Sequence, residues 1–544
     1  MSNPWNEKRR TLLQALQSIG SAGRAEGAPV ERIGPGYYPV AEHLRLLDPD
    51  VVLVVGPRGA GKTEIARVLT DASLFDAVKP YAPAVRLPDG KSQWLRVYPA
   101  GSKGFEGLGL RTFMKSAGSS TETLRELWFA YLVRALYDDL DGQGKKDIAP
   151  LLAPAAADVE AIHRAFRKLG TKPVVVLDRL DEQLERQGRY LFATYDELDT
   201  LGNGDWTLVE AGVRGLVALW AAYARRWRRI RAKLFLRTDL YERHAKAGGA
   251  DLAKLAAGRV ELVWSDRDLY GQLLKRMANA DTALADYVKE VKGVLWKDDP
   301  SLGRIPTLQT WQDARPVVER MVGVYMGANQ KKGLVYRWLL DHVRDGLGRG
   351  YPRPFVRLME EAARLELQSF GTLRSRRLLE PASLRRALDR VSDDHVAQSR
   401  DEWPWLDAIK AKLGTNPLVP YAEKEAVKLL EGISGTSDAM RPPFEGRELL
   451  DYLLELGIFR RRPADGRLDA PDLYLAGLGL RRKGGVKKKS WPAGGEEQTV
   501  CLSKNDARGD RWTGLTKQRV VSPECCNTLA WRAASEGVVH GYAP

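Results

Sequence analysis

The most constraining feature of this sequence is a glycine-rich octet that fits the pattern G-x-x-x-x-G-K-[ST] at every position. Its residues are Gly56, Pro57, Arg58, Gly59, Ala60, Gly61, Lys62 and Thr63. Residues 51–55 before it are valine and leucine, which is typical of a strand buried on both faces of a parallel sheet. Ile65, Val68 and Leu69 then recur at helical spacing. The order strand, glycine loop and helix predicts a phosphate-binding loop at a helix N-terminus.

Two side chains of the octet carry the chemistry of a nucleoside triphosphate site. The amine of Lys62 can reach the β- and γ-phosphates, and the hydroxyl of Thr63 can ligate Mg²⁺. Such a site also needs a carboxylate at the end of a second strand to hold the metal. We therefore expect the chain to bind a nucleoside triphosphate together with Mg²⁺, and we searched the sequence for the carboxylate.

Two acidic stretches compete for the metal position. The first, PVVVLDRLDEQLERQ, offers Asp178, Asp181 and Glu182. Its leucines stand at i, i+3 and i+7 with charges on the other face, and Pro173 suits a first helical turn, so this stretch is typical of an amphipathic helix. The valine triplet at its start keeps a strand open as the alternative.

The second stretch, GRYLFATYDELDTLGN, offers Asp196 and Glu197 directly after the aromatic-rich residues 190–195, which are bounded by glycines as strands are. Asp-Glu is the order that places a metal ligand beside a water-activating carboxylate. A helical stripe over residues 216–230 and the apolar stretch KLFLRTD follow, giving the order expected of a parallel nucleotide-binding sheet. We therefore favour Asp196 and Glu197, with Asp178 as the alternative metal ligand.

Two arginines are placed to sense the γ-phosphate. Arg237 stands at the carboxyl end of the strand predicted for KLFLRTD, beside the nucleotide strand, and its alternative role is an ion pair with Asp239 or Glu242. Arg353 precedes an amphipathic helix in the stretch YPRPFVRL, within a helical region that begins near residue 268. An arginine on a helical lid can couple the state of a phosphate to domain angle, and a plain interhelical turn is the alternative.

Together these features resemble the bacterial P-loop ATPases of the additional-strand group, which includes STAND and KAP-type NTPases and AAA+ relatives. Many bacterial members of that group lie in antiphage or other conflict systems. The resemblance rests on GPRGAGKT, a strand ending in YDELD, a strand ending in FLRTD and the YPRPFVRL turn. It covers residues 35–480, with a departure in the long insert over residues 75–188, which obscures the strand order.

The resemblance implies ATP-dependent switching. Lys62 and Thr63 would contact the phosphates and Mg²⁺, Asp196 would hold the metal, and Glu197 would lie beside the attacking water. ATP rather than GTP is expected from the resemblance, since no base-reading N-K-x-D motif follows the sheet. The sequence contains no nuclease, protease or other effector signature, so we expect a separate effector protein as a partner; an oligomer is compatible with the resemblance.

A second domain type is predicted near the end of the chain. The stretch EGRELLDYLLELGIFRRRPADGRLD has the order helix, strand, turn, strand, as in a winged helix. Residues 441–489 contain 12 basic and 7 acidic residues, a surplus that can follow phosphates. Contact with DNA would use Arg460, Arg461, Arg462 and Arg467. The alternative is a winged helix that packs only against the ATPase, so an ATP-regulated DNA-binding protein is the alternative function.

Composition adds limits rather than a function. The net charge of +15 is spread along the chain, and no apolar run approaches the length of a membrane span. All three cysteines fall in the last tenth and form no disulfide or zinc pattern, so a reducing cytoplasm is expected. The predicted regions are an N-terminal helix and linker (1–34), an α/β P-loop NTPase domain with flanking helices (35–265, insert 75–188), a helical lid (266–400), a winged-helix-like α+β domain (401–489) and a flexible C-terminal extension (490–544).

Overall fold

Five parallel strands form one sheet in the described part of the chain. The structure is a computed structural model that describes residues 4–20, 30–83, 86, 92–98, 107–116, 120–202, 205–246, 250–370, 376–400, 403–433 and 441–483. The strands are β1 Leu53–Val55, β2 Gln93–Tyr98, β3 Leu191–Tyr195, β4 Ile230–Leu236 and β5 Val260–Glu261. Their spatial order is β2-β3-β4-β1-β5, and all neighbouring pairs are parallel. The carboxyl ends of these strands therefore meet at one edge of the sheet.

Both faces of this sheet are buried. Successive side chains of a strand point to opposite faces. Val54, Phe192 and Phe235 pack into one hydrophobic core, whereas their chain neighbours Leu53 and Leu234 pack into a second core on the opposite face. This explains why the strands appear in the sequence as continuous apolar runs rather than as alternating patterns.

Helices surround the sheet on both faces. The phosphate-loop helix begins at the lysine of the octet, and a group of helices fills the chain between the second and third strands. The helices of this region are α1 Pro4–Leu16, α2 Val30–Gly36, α3 Lys62–Thr70, α4 Ala72–Val78, α5 Gly107–Ser116, α6 Thr121–Ala135, α7 Gly142–Leu152, α8 Val159–Leu169, α9 Lys172–Gln187, α10 Trp206–Tyr223, α11 Thr238–Lys246 and α12 Ala250–Ala256.

The range that we predict as an insert, 75–188, contributes to the sheet itself. Strand β2 lies within this range and pairs in parallel with β3, with Gln93 opposite Leu191. The strand was not predicted because its sequence QWLRVY is short and carries little pattern of its own. The helix predicted for PVVVLDRLDEQLERQ is confirmed as α9, and the strand alternative for its valines is wrong, since Val176 and Leu177 are buried as members of the helix.

The helical stripe predicted over residues 216–230 is wrong at its end. Helix α10 ends at Tyr223, and Ile230 is already the first residue of β4. Trp227 lies in the link between them, fully buried, with its ring stacked on Tyr223 at a centroid distance of 4.6 Å. The apolar spacing continued past the helix because a buried turn happens to keep the same period.

Helices dominate the chain after the sheet, as the sequence predicts. Their bounds are α13 Asp266–Ala280, α14 Thr282–Lys289, α15 Arg315–Val322, α16 Val335–His342, α17 Pro352–Gln368 and α18 Pro381–Ser399. An antiparallel hairpin of β6 Leu295–Asp299 and β7 Gly303–Thr307, which we did not predict, lies among them.

Helix α1 packs against α17 through a buried ion pair in which Arg9 Nη2 donates to Glu366 Oε2 at 2.5 Å. The domain boundaries given above stay predictions.

A small α+β region completes the described chain. Its elements are α19 Leu406–Leu413, β8 Leu418–Val419, α20 Glu423–Leu429, α21 Gly446–Glu455, β9 Arg460–Arg461, β10 Leu468–Asp469, α22 Asp472–Leu475 and β11 Arg481–Arg482. Strands β9 and β10 are antiparallel and follow α21, which is the predicted winged-helix order. The fold is therefore an α/β P-loop NTPase followed by a helical region and a winged-helix-like region. None of the described helices is both long and apolar enough to cross a membrane.

Candidate nucleotide site

The glycine octet forms the turn between β1 and α3 at the carboxyl edge of the sheet. Gly56 N donates to Leu236 O at 3.1 Å, which joins the start of the loop to the end of β4. Gly59 and Gly61 have φ angles of +82° and +97°, a left-handed conformation that favours glycine. Lys62 is the first residue of α3, so the first turn of this helix faces the inside of the loop. This arrangement suits a phosphate group.

Lys62 and Thr63 lie where the sequence predicts them. The ammonium of Lys62 donates to Gly56 O at 2.7 Å and to Pro57 O at 2.9 Å, so it extends across the loop. The hydroxyl of Thr63 donates a hydrogen bond to the carboxylate of Asp196. Through these contacts the structure brings the loop together with the end of β3.

Asp196 is buried directly after β3, with 5% of its surface exposed. Burial raises the pKa of its carboxyl, and the hydrogen bond from Thr63 and the charge of Lys62 oppose that rise. A hydroxyl and a carboxylate side by side are oxygen donors that suit Mg²⁺, which completes its shell with substrate phosphates and water. The donor set of Thr63 and Asp196 therefore fits the implied metal. No cluster of three or more metal-binding side chains occurs in the described ranges.

Glu197 follows Asp196 in an unusual backbone conformation. Its φ angle of +54° makes it the one non-glycine residue with a positive φ in the part of the chain that the structure describes. Such conformations cost about 1–3 kcal/mol and persist where the surroundings impose them. The charge of Glu197 acts on the guanidinium of Arg67 on α3, the helix that follows the phosphate loop.

The alternative acid lies in a different environment. Asp178 stands on α9 and accepts from Arg226 Nε and Nη2 at 2.8 and 2.6 Å and from Trp227 Nε1 at 3.0 Å. The ion pair with Arg226 holds the pKa of the Asp178 carboxyl below its usual value. One turn later, Asp181 accepts three backbone N–H groups at the start of β4. These carboxylates attach α9 to the link before β4, and they do not contact the octet.

Arg237 joins the carboxyl ends of β3 and β4. Its guanidinium pairs with Asp239 at 2.8 and 3.0 Å and with Asp199 Oδ2 at 3.2 Å, and it is 4% exposed. The guanidinium of Arg237 also lies over the ring of Trp206, with its Cζ 4.9 Å from the ring centroid. The ion pair with Asp239 is the one that the sequence offered as the alternative to a sensor role. The pairing still leaves Arg237 one residue beyond β4, at the same sheet edge as Asp196.

Arg353 lies directly over the phosphate loop. It is the second residue of α17, and a Cβ placed on Gly59 would lie 3.2 Å from the Cβ of Arg353. Gly59 therefore allows the start of α17 to approach the loop closely, in addition to supplying a positive φ. The structure thus brings Arg353, which is far away in sequence, to the octet.

Two further residues of the site escaped the sequence analysis. Trp264 Nε1 donates to Ala60 O at 2.9 Å, and the backbone of Trp264 pairs with Gly350 just before α17. Glu64, next to Thr63, forms a 3.0 Å ion pair with Arg276 on α13. Both contacts connect the loop to the helical region. Trp264 follows the short strand β5 closely, but nothing local in the sequence identified its partner.

Comparison with protein-family models and with curated proteins gives no match. Among solved structures the chain is similar to the Aeropyrum pernix ORC2 protein in ADPNP–ADP complexes, with 14% identity, a TM-score of 0.28, and 80% of this chain and 92% of that chain covered. For the ADP form of the same protein the identity is 13% and the TM-score 0.28, with 80% of this chain and 90% of that chain covered. For Cdc6p from Pyrobaculum aerophilum the identity is 13% and the TM-score 0.25, with 78% of this chain and 86% of that chain covered. These values describe a distant likeness, and the fold assignment rests on the sheet order and phosphate loop of this chain.

The arginines predicted to contact DNA are paired with carboxylates of the same region. The pairs are Arg460 with Asp469 at 3.5 Å, Arg461 with Glu423 at 2.9 Å, Arg462 with Asp465 at 3.7 Å and Arg467 with Asp465 at 2.7 Å. Arg461 and Arg447 together lower the pKa of the Glu423 carboxyl to about 2. The basic surplus is thus partly neutralised on the hairpin, and Lys487, Lys488 and Lys489 lie outside the described residues.

Proposed function

We propose that this chain is a Mg²⁺-dependent ATP hydrolase that acts as a nucleotide-driven switch. The observation that carries the proposal is the convergence of Lys62, Thr63 and Asp196 at the carboxyl edge of the sheet. Lys62 and Thr63 belong to the first turn of α3, which suits a bound anion. A strained Glu197 beside this group supports hydrolysis rather than binding alone.

Each residue has a role in this proposal. Lys62 binds the β- and γ-phosphates, while Thr63 and Asp196 hold Mg²⁺, which withdraws charge from the phosphate oxygens when bound. Glu197 accepts a hydrogen bond from the attacking water and orients it. Arg237 and Arg353 stabilise the negative charge of the γ-phosphate from two sides. For Arg237 this role requires its ion pairs to exchange when nucleotide binds.

The switch would operate through the helical region. Arg353 at the start of α17, Trp264 and the Glu64–Arg276 pair connect the loop to helices outside the sheet. A change at the γ-phosphate would therefore change the position of these helices. We propose that a separate effector protein reads this change in the cytoplasm, as part of a bacterial defence system, and the family resemblance alone supports that setting.

Steady-state ATP hydrolysis by the purified chain tests the central claim. We expect Mg²⁺-dependent turnover that is lost in Lys62→Ala and falls sharply in Glu197→Gln, while Glu197→Gln still binds ATP. If Glu197→Gln leaves turnover unchanged while Lys62→Ala abolishes binding, the catalytic assignment is wrong. Size-exclusion chromatography of Glu197→Gln with ATP then tests for an oligomer.

A second candidate function is ATP-regulated binding of duplex DNA. The antiparallel hairpin β9–β10, with its four arginines, favours this function. Each arginine would have to exchange an internal carboxylate for a DNA phosphate. Turnover assays with and without duplex DNA, and salt titrations of binding, test it. Binding that falls steeply with salt and is lost on charge reversal of Arg460, Arg461 and Arg462 would support this function, whereas salt-independent or absent binding would exclude it.

A further inference from the structure

One tryptophan contacts both the candidate sensor Arg237 and a second arginine. The guanidinium groups of Arg237 and Arg243 lie over the ring of Trp206, with Cζ atoms 4.9 and 5.6 Å from the ring centroid. An aromatic face attracts a cation in this position. The indole N–H of Trp206 is shielded from solvent and has no hydrogen-bond partner among the described residues. The ring is therefore held by packing and by the two guanidinium groups rather than by a hydrogen bond of its own.

Arg243 connects three helices. It lies on α11, pairs with Glu210 on α10 at 3.2 Å, and donates a hydrogen bond to the hydroxyl of Tyr452 on α21. The start of α11 and the end of α21 also line one cavity, through Thr238 and Glu455. The contact between Arg243 and Tyr452 is thus part of a shared boundary between the sheet domain and the winged-helix-like region.

The ring of Tyr452 is fixed within the winged-helix-like region. It lies 6.0 Å from the ring of Trp405 and 5.3 Å from the ring of Phe444, between centroids. A displacement of Arg243 would therefore act on a packed group of aromatic side chains. The contacts from Arg237 through Trp206 and Arg243 to this group are continuous.

The first residue of this series has two arrangements in the proposed function. In the structure Arg237 is paired with Asp239 and Asp199, and its contact with the γ-phosphate requires these ion pairs to exchange. The contact with the ring of Trp206 belongs to the ion-paired arrangement. Any neighbour that fixes this ring therefore favours the ion-paired arrangement. A side chain with two discrete arrangements is the kind of element that can couple distant regions.

We propose that Trp206 and Arg243 are positioning residues that couple Arg237 to the winged-helix-like region through Tyr452. The link favours the ion-paired arrangement, so the winged-helix-like region restrains the contact of Arg237 with the γ-phosphate. Because coupling between sites is reciprocal, ATP binding in turn weakens the hold of α11 on α21. The inference rests on the proposed function for the role of Arg237, and it identifies the winged-helix-like region as a part of the chain that responds to the γ-phosphate.

The ratio of two affinities tests the link in the full chain. We expect Tyr452→Phe, which keeps the ring and removes the hydroxyl, to bind a non-hydrolysable ATP analogue several-fold more tightly. Its affinity for ADP should stay unchanged, because ADP lacks the phosphate that Arg237 contacts. Tyr421→Phe is the matched control, since the Tyr421 hydroxyl donates to Asn416 O within the same region.

Trp206→Leu tests the other end of the link and should shift the affinity ratio in the same direction. Its matched control is Trp296→Leu on β6. Trp296 is also half-buried, and its indole N–H likewise has no hydrogen-bond partner in the described part of the chain. Because the two tests use different regions, a folding defect in one variant leaves the other informative.

Three results would overturn the proposal. The first is an unchanged ratio in either correctly folded variant, Tyr452→Phe or Trp206→Leu. The second is an equal shift in the matched control. The third is weaker binding of the analogue relative to ADP, which would show that the link supports the phosphate contact instead of restraining it.

Failure of the proposed function gives different results. If the analogue binds but ATP is not hydrolysed, the hydrolase is refuted and the affinity ratio still tests the link. If neither nucleotide binds, hydrogen exchange of the amides of α21 tests it without a ligand. Exchange should then be faster in Trp206→Leu than in Trp296→Leu, and equal rates would overturn the link.

Discussion

The carboxyl end of β3 and helix α9 both present acidic residues, yet their carboxylates have very different surroundings. Asp196 is buried and accepts hydrogen bonds from the Thr63 hydroxyl and from the backbone of Glu197, and burial raises its pKa. Asp178 accepts three hydrogen bonds from Arg226 and Trp227, and Asp181 accepts three from backbone N–H groups. A carboxylate that is saturated by the protein has little capacity left for a metal. A buried carboxylate whose pKa is raised by desolvation gains from a cation.

The largest expected effect is on turnover in Asp196→Asn. Loss of a direct metal ligand should lower kcat/KM for ATP by at least about 100-fold, since even partners outside the metal shell contribute about 10–100-fold. Steady-state hydrolysis at saturating Mg²⁺ measures this loss. Asp178→Asn is the matched control and should keep its turnover per folded molecule. A similar loss in both variants would remove the distinction between the two acids.

Asp181→Ala should have the opposite effect to Asp196→Asn. It should lower the free energy of unfolding strongly and leave turnover per folded molecule unchanged. Asp181 is 7% exposed, and its removal leaves three backbone N–H groups without their acceptor. We expect the free energy of unfolding to fall by about 2–4 kcal/mol. Urea denaturation measures the change. Glu182→Gln, on an exposed position of the same helix, should have almost no effect; an equal loss there would show that α9 tolerates no charge change at all.

These contrasts show what could be predicted from local sequence. The octet, β3 and β4 were predictable because apolar runs and glycines report their own local environment. Asp196 was favoured because it follows a strand directly, and α9 was recognised by its period. Strand β2 and the end of α10 were not predictable, since a short edge strand carries little pattern and Trp227 continued the helical period through a turn.

The contacts that complete the site are long-range and left no local signal. Trp264 donates to Ala60, which is 204 residues earlier, and Arg276 reaches Glu64 across 212 residues. Arg353 was found by its position before a helix, but its place over Gly59 depends on how α17 packs. Tertiary packing, rather than residue type, decides such pairs, so sequence patterns identify the loop and leave its connections undetermined.

The pH dependence of stability should have opposite signs for the two acids. The pKa of Asp196 is raised on folding, so the folded state binds the extra proton, and stability falls as pH rises between the ordinary carboxyl pKa and its raised value. The pKa of Asp178 is lowered on folding, so its contribution is present above the ordinary pKa and is lost as pH falls towards the lowered value.

Urea denaturation of the nucleotide-free chain from neutral pH to below the ordinary carboxyl pKa separates the two contributions, because the Asp196 window lies above that pKa and the Asp178 window lies below it. Relative to the unmodified chain, Asp196→Asn should lose less stability as pH rises, whereas Asp178→Asn should lose less as pH falls. Glu182→Gln again provides the baseline. Identical pH profiles for the two asparagine variants would contradict the difference in their surroundings.

The smallest expected effect concerns the hairpin β9–β10, where exposed ion pairs replace the buried contacts of the sheet edge. Arg461 and Glu423 are 43% and 36% exposed, and exposed pairs contribute little to stability. Arg461→Gln should change the unfolding temperature by about 1 °C or less. The same variant distinguishes the two roles of the hairpin: if Arg461 contacts DNA phosphate, the salt dependence of duplex binding becomes shallower by about one released counterion. An unchanged salt slope would mean that Arg461 does not contact DNA phosphate.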